Sequence, residues 1–324
     1  MLFRSIPNGK FVTGALFFKQ GVHLYIEEGG VLFGSDQFEN LSAGEVSAVL
    51  TGIQAATDTP MFFGVAEEGG AVNAVSLHPE LRSKEYLSVS ELVTTGGMKL
   101  VENDAVDKSD LLRSLGIHMN FAPVCQSVND PIAMMYERSI HGTTADAERY
   151  VGTVVPAMLD RRVQPVLKYF PGYGELHALT NTDVLIDDRS YERLQTEALP
   201  PFARGFEEGA RLVMMSHTVV TAVDSEKPAS LSVKVHELLR RDMGFEGLIL
   251  TGNLHATGLQ KYGSVGDIAV QAVRAGSDML VTSDYHIQIP AVVHAVQTGQ
   301  LSRERIEESV LRILKLKIEM GMLG

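Results

Sequence analysis

The stretch Gln164-Pro-Val-Leu-Lys-Tyr-Phe-Pro-Gly-Tyr-Gly174 decides the architecture. Its first half is a short apolar run ending on a charge, too short for a helix and typical of a buried strand. Phe170-Pro171-Gly172 then forces a turn. Runs of the same form recur at residues 31–33, 61–65, 117–121, 212–215, 248–251 and 279–282, each bulky or β-branched and bounded by Gly, Pro or polar residues. Amphipathic stretches lie between them, at 43–56, 145–159, 191–208, 233–241, 266–275 and 302–317. In the first, Val46, Val49, Leu50 and Ile53 recur at helical spacing. The last has Ser302 as N-cap, with acids early and lysines late, as the helix dipole favours.

Strand and helix alternate seven or eight times, which predicts a parallel sheet covered by helices. With no composition break or linker in 324 residues, the expectation is an α/β fold. It is a closed (β/α)8 barrel of the TIM type, its first elements irregular or missing, forming one domain over 1–324.

Composition narrows the function. Lys and Arg total 28 against 40 Asp and Glu, a net charge of −12. That excludes a nucleic-acid binder, which needs cations to neutralise phosphates, and a polybasic membrane-surface protein. Cys125 is the only cysteine, so no internal disulfide or multi-thiolate metal site is available. The ten histidines show no His-x-x-x-His spacing, and no phosphate-binding glycine motif occurs. No metal and no cofactor is expected. The first ten residues do not read as a secretory signal and no apolar run spans a bilayer, so a cytoplasmic location is expected.

In such a barrel chemistry sits at the C-terminal strand ends. Lys168 is costly to bury there without a partner. Tyr169 and Tyr173 could stack on a sugar face. Arg138, in Glu137-Arg-Ser139, presents fixed donors for a polyol or carboxylate. Of the adjacent Glu67 and Glu68, at most one faces the mouth, because neighbours on an extended chain point opposite ways. His217 and His255 are candidate proton carriers, and Ser216-His217 lacks the Gly-x-Ser-x-Gly elbow of a serine triad.

Together these residues resemble glycoside hydrolase family 3, specifically its single-domain β-N-acetylhexosaminidase branch. The likeness is carried by Gly30-Val-Leu-Phe33, Glu68-Gly-Gly70, Leu115-Gly-Ile-His-Met-Asn-Phe-Ala-Pro-Val124, Arg138-Ser139 with Gly142, Lys168 to Gly174, Pro228-Ala-Ser-Leu-Ser232 and Gly244-Phe-Glu-Gly-Leu-Ile-Leu-Thr251. It implies a retaining mechanism, an aspartate nucleophile and an Asp–His proton carrier in a loop. It also implies a sugar held by aspartate, arginine, lysine and histidines, and an N-acetylglucosamine-type carbohydrate as ligand.

This chain departs from that pattern where the chemistry is done. Gly252 stands at the nucleophile position, followed by Asn253; Leu179 and Asn181 align with the Asp–His pair. Ala66 replaces the sugar-binding aspartate, and Tyr169 and Tyr173 replace two histidines, while Arg138, Lys168 and His217 remain. Retaining hydrolysis needs two carboxyl groups about 5–5.5 Å apart. The leading expectation is therefore a catalytically impaired barrel with a carbohydrate pocket or a protein partner. A second is an active enzyme with relocated groups: Glu175, Glu67 or Asp284 as carboxylate, His177 or His255 as proton carrier. A third is a mouth repurposed for another small metabolite, the two tyrosines and Ala66 making it more apolar; Asn253 and His255 are further candidate binding residues.

Overall fold

A computed structural model gives the fold; it describes the backbone of residues 2–5 and residues 29–177 and 184–323. Eight parallel strands close into a barrel: β1 (Leu2–Ser5), β2 (Gly30–Phe33), β3 (Phe62–Val65), β4 (Met119–Asn120), β5 (Gln164–Phe170), β6 (Leu212–Met215), β7 (Leu248–Asn253) and β8 (Met279–Thr282). Each pairs with the next, and β1 closes the ring against β8, with Leu2 opposite Leu280. The fold is the expected TIM-type barrel.

Seven of the eight strands stand where the apolar runs place them. The eighth, β1, adds an element at the start, so the 117–121 stretch contributes the fourth strand of the barrel. Two helices go unpredicted: Val89–Leu115 and Tyr285–Gln297. The stretch 191–208 forms Tyr191–Arg193, a π-helical turn Leu194–Ala198 and Leu199–Glu207.

The strand period of two divides the core. Alternate residues such as Phe62, Met119, Val166, Leu212, Leu248 and Leu250 fill the barrel interior. The residues between them, such as Phe63, Leu167, Val213 and Ile249, face the helices. Gly64 also points inward, and a Cβ there would lie 2.8 Å from the Phe121 ring, so only glycine lets that ring cross the barrel. The helices are capped as their sequences direct: Ser42 and Glu45 form a capping box, and Ser302 Oγ accepts the Arg305 N–H at 3.1 Å. Each such cap is worth about 1 kcal/mol. No helix among the described residues is long and apolar enough to cross a membrane.

Candidate functional site

Continuing each inward-facing row one step toward the C-terminal end brings Ala66, Lys168 and Gly252 into the layer above the apolar plug. This layer is the floor of the mouth. Lys168 is 4% exposed, and its ammonium is paired with Glu68, whose side chain is 6% exposed. Arg138 grips the same carboxylate with two bonds, Nε to Oε2 at 2.9 Å and Nη2 to Oε1 at 2.6 Å. Its Nη2 also donates to the Tyr169 hydroxyl at 2.7 Å. Burial alone would raise the Glu68 carboxyl, but Lys168 and Arg138 outweigh it and hold the group below the usual carboxylate range. Burial likewise opposes the Arg138 charge, and Glu68 and Tyr169 reverse that, raising its pKa.

Glu67 is the acid that does not reach the mouth. It is fully buried, and its carboxylate accepts the Val75 N–H at 2.6 Å and the Ser76 N–H at 3.2 Å, with the Ser76 hydroxyl as a third donor. Asn120 ties its backbone at both ends, through bonds of 2.9 Å to its N–H and its carbonyl. Glu67 thus anchors the small hairpin of Glu67–Gly69 and Val72–Asn73, which presents Glu68. As alternation expects, one of the two neighbours faces the mouth, and the anchoring of Glu67 makes it Glu68.

Tyr169 sits at φ 75°, in the left-handed region that bulky residues rarely occupy. Strain of this kind costs on the order of 1–3 kcal/mol and collects at functional sites. The ring is held by the Arg138 guanidinium, 5.2 Å from its centroid, and by the Tyr173 ring edge-on at 5.2 Å. The Tyr173 N–H donates to Gln126 Oε1 at 2.7 Å. Burial raises the Tyr173 phenol, which stays neutral at physiological pH.

At the end of the neighbouring strand β6, His217 fills the space above Gly252. A Cβ at residue 252 would lie 2.7 Å from His217 Nε2 and 3.0 Å from Cε1, closer than such atoms approach. The ring is fixed on both sides: Nε2 meets the Asn253 carbonyl at 3.0 Å and Nδ1 meets the Ser230 hydroxyl at 2.7 Å. A carbonyl can only accept, so Nε2 carries the proton and Nδ1 accepts from Ser230. Burial pushes the imidazole down to about 4, the Asn253 carbonyl opposing weakly. His217 is therefore neutral, with its basic nitrogen already occupied. Ser230 had no assigned role in the sequence, although it lies inside the Pro228 to Ser232 motif.

The remaining candidates lie on the mouth loops. Both Glu175 oxygens accept backbone N–H groups, of Asn129 at 2.8 Å and Asp130 at 2.9 Å. His177 Nε2 lies 2.7 Å from Asp130 Oδ2. Glu175 and His177 therefore clasp two loops together. Leu179 and Asn181 lie outside the described residues. His255 is exposed, with Nδ1 2.6 Å from Asp284 Oδ2, and its N–H is accepted by Asn253 Oδ1 at 3.0 Å. A groove of about 420 Å³ borders Gln126, Tyr173, Glu175, Asp187 and Arg189. No group of three or more His, Cys, Asp or Glu among the described residues is placed to hold a metal. Burial raises the Cys125 thiol, which keeps it protonated.

Known proteins resemble this chain in sequence and fold. A beta-hexosaminidase of Mycobacterium tuberculosis, LpqI, is 28% identical over 307 residues, covering 89% of this chain and 75% of its own. A beta-hexosaminidase of Xylella fastidiosa is 30% identical over 262 residues, covering 78% and 75%. Among solved structures, a glycoside hydrolase family 3 beta-N-acetylglucosaminidase from Paenibacillus superposes with a TM-score of 0.82 at 29% identity. That match covers 91% of this chain and 57% of the other, so this chain spans little more than half of that solved protein. The family model described as the glycosyl hydrolase family 3 N terminal domain matches residues 26–316. An eight-stranded barrel with these motifs at its strand ends, matched over nine-tenths of its length, belongs to glycoside hydrolase family 3.

Proposed function

We propose that this protein binds an N-acetylglucosamine-type carbohydrate at the barrel mouth and does not hydrolyse it by the family's covalent route. The observation that carries the reading is the His217 ring above Gly252. The oxocarbenium-like transition state needs negative charge beneath the sugar ring, and at the nucleophile position implied by the resemblance Gly252 has no side chain and its neighbour is a neutral imidazole. The carboxylate that the described residues bring to the floor, Glu68, is neutralised by Lys168 and Arg138 and serves to orient them. Ala66 contributes no carboxylate either.

Carbohydrate binding is supported by the relatives' substrates and by what remains in the mouth. Arg138, Lys168 and the Tyr169–Tyr173 pair offer donors and an aromatic surface. Titrating the protein with N-acetylglucosamine in a calorimeter tests the first half, and Arg138→Lys should weaken the binding. Release of product from a chromogenic N-acetyl-β-glucosaminide tests the second. Absent heat at millimolar sugar would remove the binding claim; saturable product release would remove the claim of lost hydrolysis.

A second reading rests on the His255–Asp284 pair. An exposed imidazole backed by a carboxylate is a competent proton carrier. As general base it would take the proton of an attacking water in an inverting reaction, while a separate carboxylic acid on the other face of the sugar protonates the leaving oxygen.

A further inference from the structure

At the barrel end opposite the mouth, three arginines converge on one carboxylate. Asp278, buried at the entry to β8, accepts from the Ile249 N–H at 3.0 Å, the Ser309 hydroxyl at 2.7 Å and Arg312 Nη1 at 3.1 Å. It is also paired with Arg240, and Arg305 lies 3.7 Å away. One carboxylate neutralises one guanidinium. Burial and the two neighbouring arginines pull Arg240 down to about 10, even with Asp278 opposing.

The three arginines are not equivalent. Arg240 is satisfied by the Phe245 and Gly247 carbonyls, and Arg305 by the Val273 and Ser277 carbonyls and Ser309. Arg312 uses only Nη1, and its other N–H groups have no hydrogen-bond partner among the described residues. Arg312 lines a cavity of about 550 Å³, a volume typical of small-molecule sites. Lys315, three residues on and so on the same helix face, lines it as well. Arg211 stands on the same cavity with its carboxylate partner, Glu319, at 3.8 Å. Leu311, 66% exposed, and Phe245 supply apolar wall.

A structural role accounts for Asp278 and Arg240, because this end of a barrel serves stability. It does not account for cations facing open space beside exposed apolar surface. We propose that this basal cavity binds a small hydroxylated organic phosphate. Arg312, Lys315 and Arg211 take the phosphate, whose geometry guanidinium donors match. Phe245 and Leu311 take the carbon skeleton, and Glu246 and Glu319, which also line the cavity, accept its hydroxyls. This site is independent of the mouth and of the function proposed there.

The test is calorimetric titration with glucose 6-phosphate, inorganic phosphate and glucose, each in buffer matched for ionic strength with chloride. Saturable binding of glucose 6-phosphate, weaker binding of inorganic phosphate and none of glucose are expected. The double variant Arg211→Gln/Lys315→Gln should weaken glucose 6-phosphate binding at least about tenfold. Its thermal midpoint without ligand should match the parent, because neither side chain holds the core. Lys315→Arg should retain binding. The proposal is overturned if glucose 6-phosphate does not saturate, if glucose binds as well as its phosphate, or if the folded double variant binds unchanged.

Discussion

Replacing Gly252 with aspartate puts a carboxylate where the family resemblance implies the nucleophile, and the geometry predicts that this alone fails. The new Cβ would begin 2.7 Å from His217 Nε2, so the imidazole must leave its seat. Leaving breaks the bonds to the Asn253 carbonyl at 3.0 Å and the Ser230 hydroxyl at 2.7 Å. Two hydrogen bonds at about 1 kcal/mol each, with the penalty for a fully buried Ser230 hydroxyl left unpaired, give a loss of about 2–4 kcal/mol. At roughly 2–4 °C per kcal/mol for a large domain, the thermal midpoint should drop on the order of 5–10 °C. Scanning calorimetry of Gly252→Asp, His217→Ala and the double variant measures this as a cycle. Removing the ring first clears the space, so the double variant should be destabilised by less than the sum of the singles. Gly252→Asp alone should release no more product from a chromogenic N-acetyl-β-glucosaminide than its parent. A Gly252→Asp protein with unchanged midpoint, or strict additivity in the cycle, would refute the steric argument.

Other outcomes follow from the same geometry. Glu68→Gln leaves Lys168 and Arg138 without their shared anion and should cost about 3–5 kcal/mol, read from denaturant unfolding. Because the folded Glu68 carboxyl lies below its unfolded value, its stabilisation is present above the ordinary carboxylate range and lost as pH falls through the depressed value. The variant should therefore show a shallower acid limb than the parent. His217, His236 and His118 are each held near 4 mainly by burial, so the unfolded chain takes up their protons first as pH falls. Each should remove about 2 kcal/mol of stability between pH 7 and pH 5, and a flat stability profile over that range would contradict their neutral state. If the His255–Asp284 pair carries a residual reaction, His255→Ala and Asp284→Asn should each abolish it; under the leading proposal neither changes product release from background.

The fold was legible because its strands are short, apolar and punctuated, and because barrel strands buried on both faces need no alternation. The elements that escaped did so for physical reasons. In the helix Val89–Leu115, Gly97 adopts φ 63° and interrupts the helical backbone. Lys108 lies on the buried face, where it pairs with Asp104 at 2.6 Å and donates to the Glu68 carbonyl at 2.8 Å. A charge on the core side hides the periodicity that reveals an amphipathic helix. The helix Tyr285–Gln297 contains Pro290, which reads as a breaker.

The site was legible as positions and not as contacts. Lys168, Arg138 and Gly252 could be placed at the mouth from motif and strand period. Which glutamate meets the cations follows from the hairpin that Glu67 anchors, and that depends on Ser76 and on Asn120, the latter distant in sequence. The seat of His217 above Gly252 joins residues 35 apart through a side-chain conformation fixed by Ser230 and Asn253, which no local pattern encodes.

The most direct measurement is steady-state release of nitrophenol from 4-nitrophenyl N-acetyl-β-glucosaminide by the unmodified protein, followed from acid to mildly alkaline pH. Under the proposal, release is indistinguishable from buffer at every pH, because Gly252 supplies no attacking carboxylate. Saturable turnover that Arg138→Lys diminishes would contradict it.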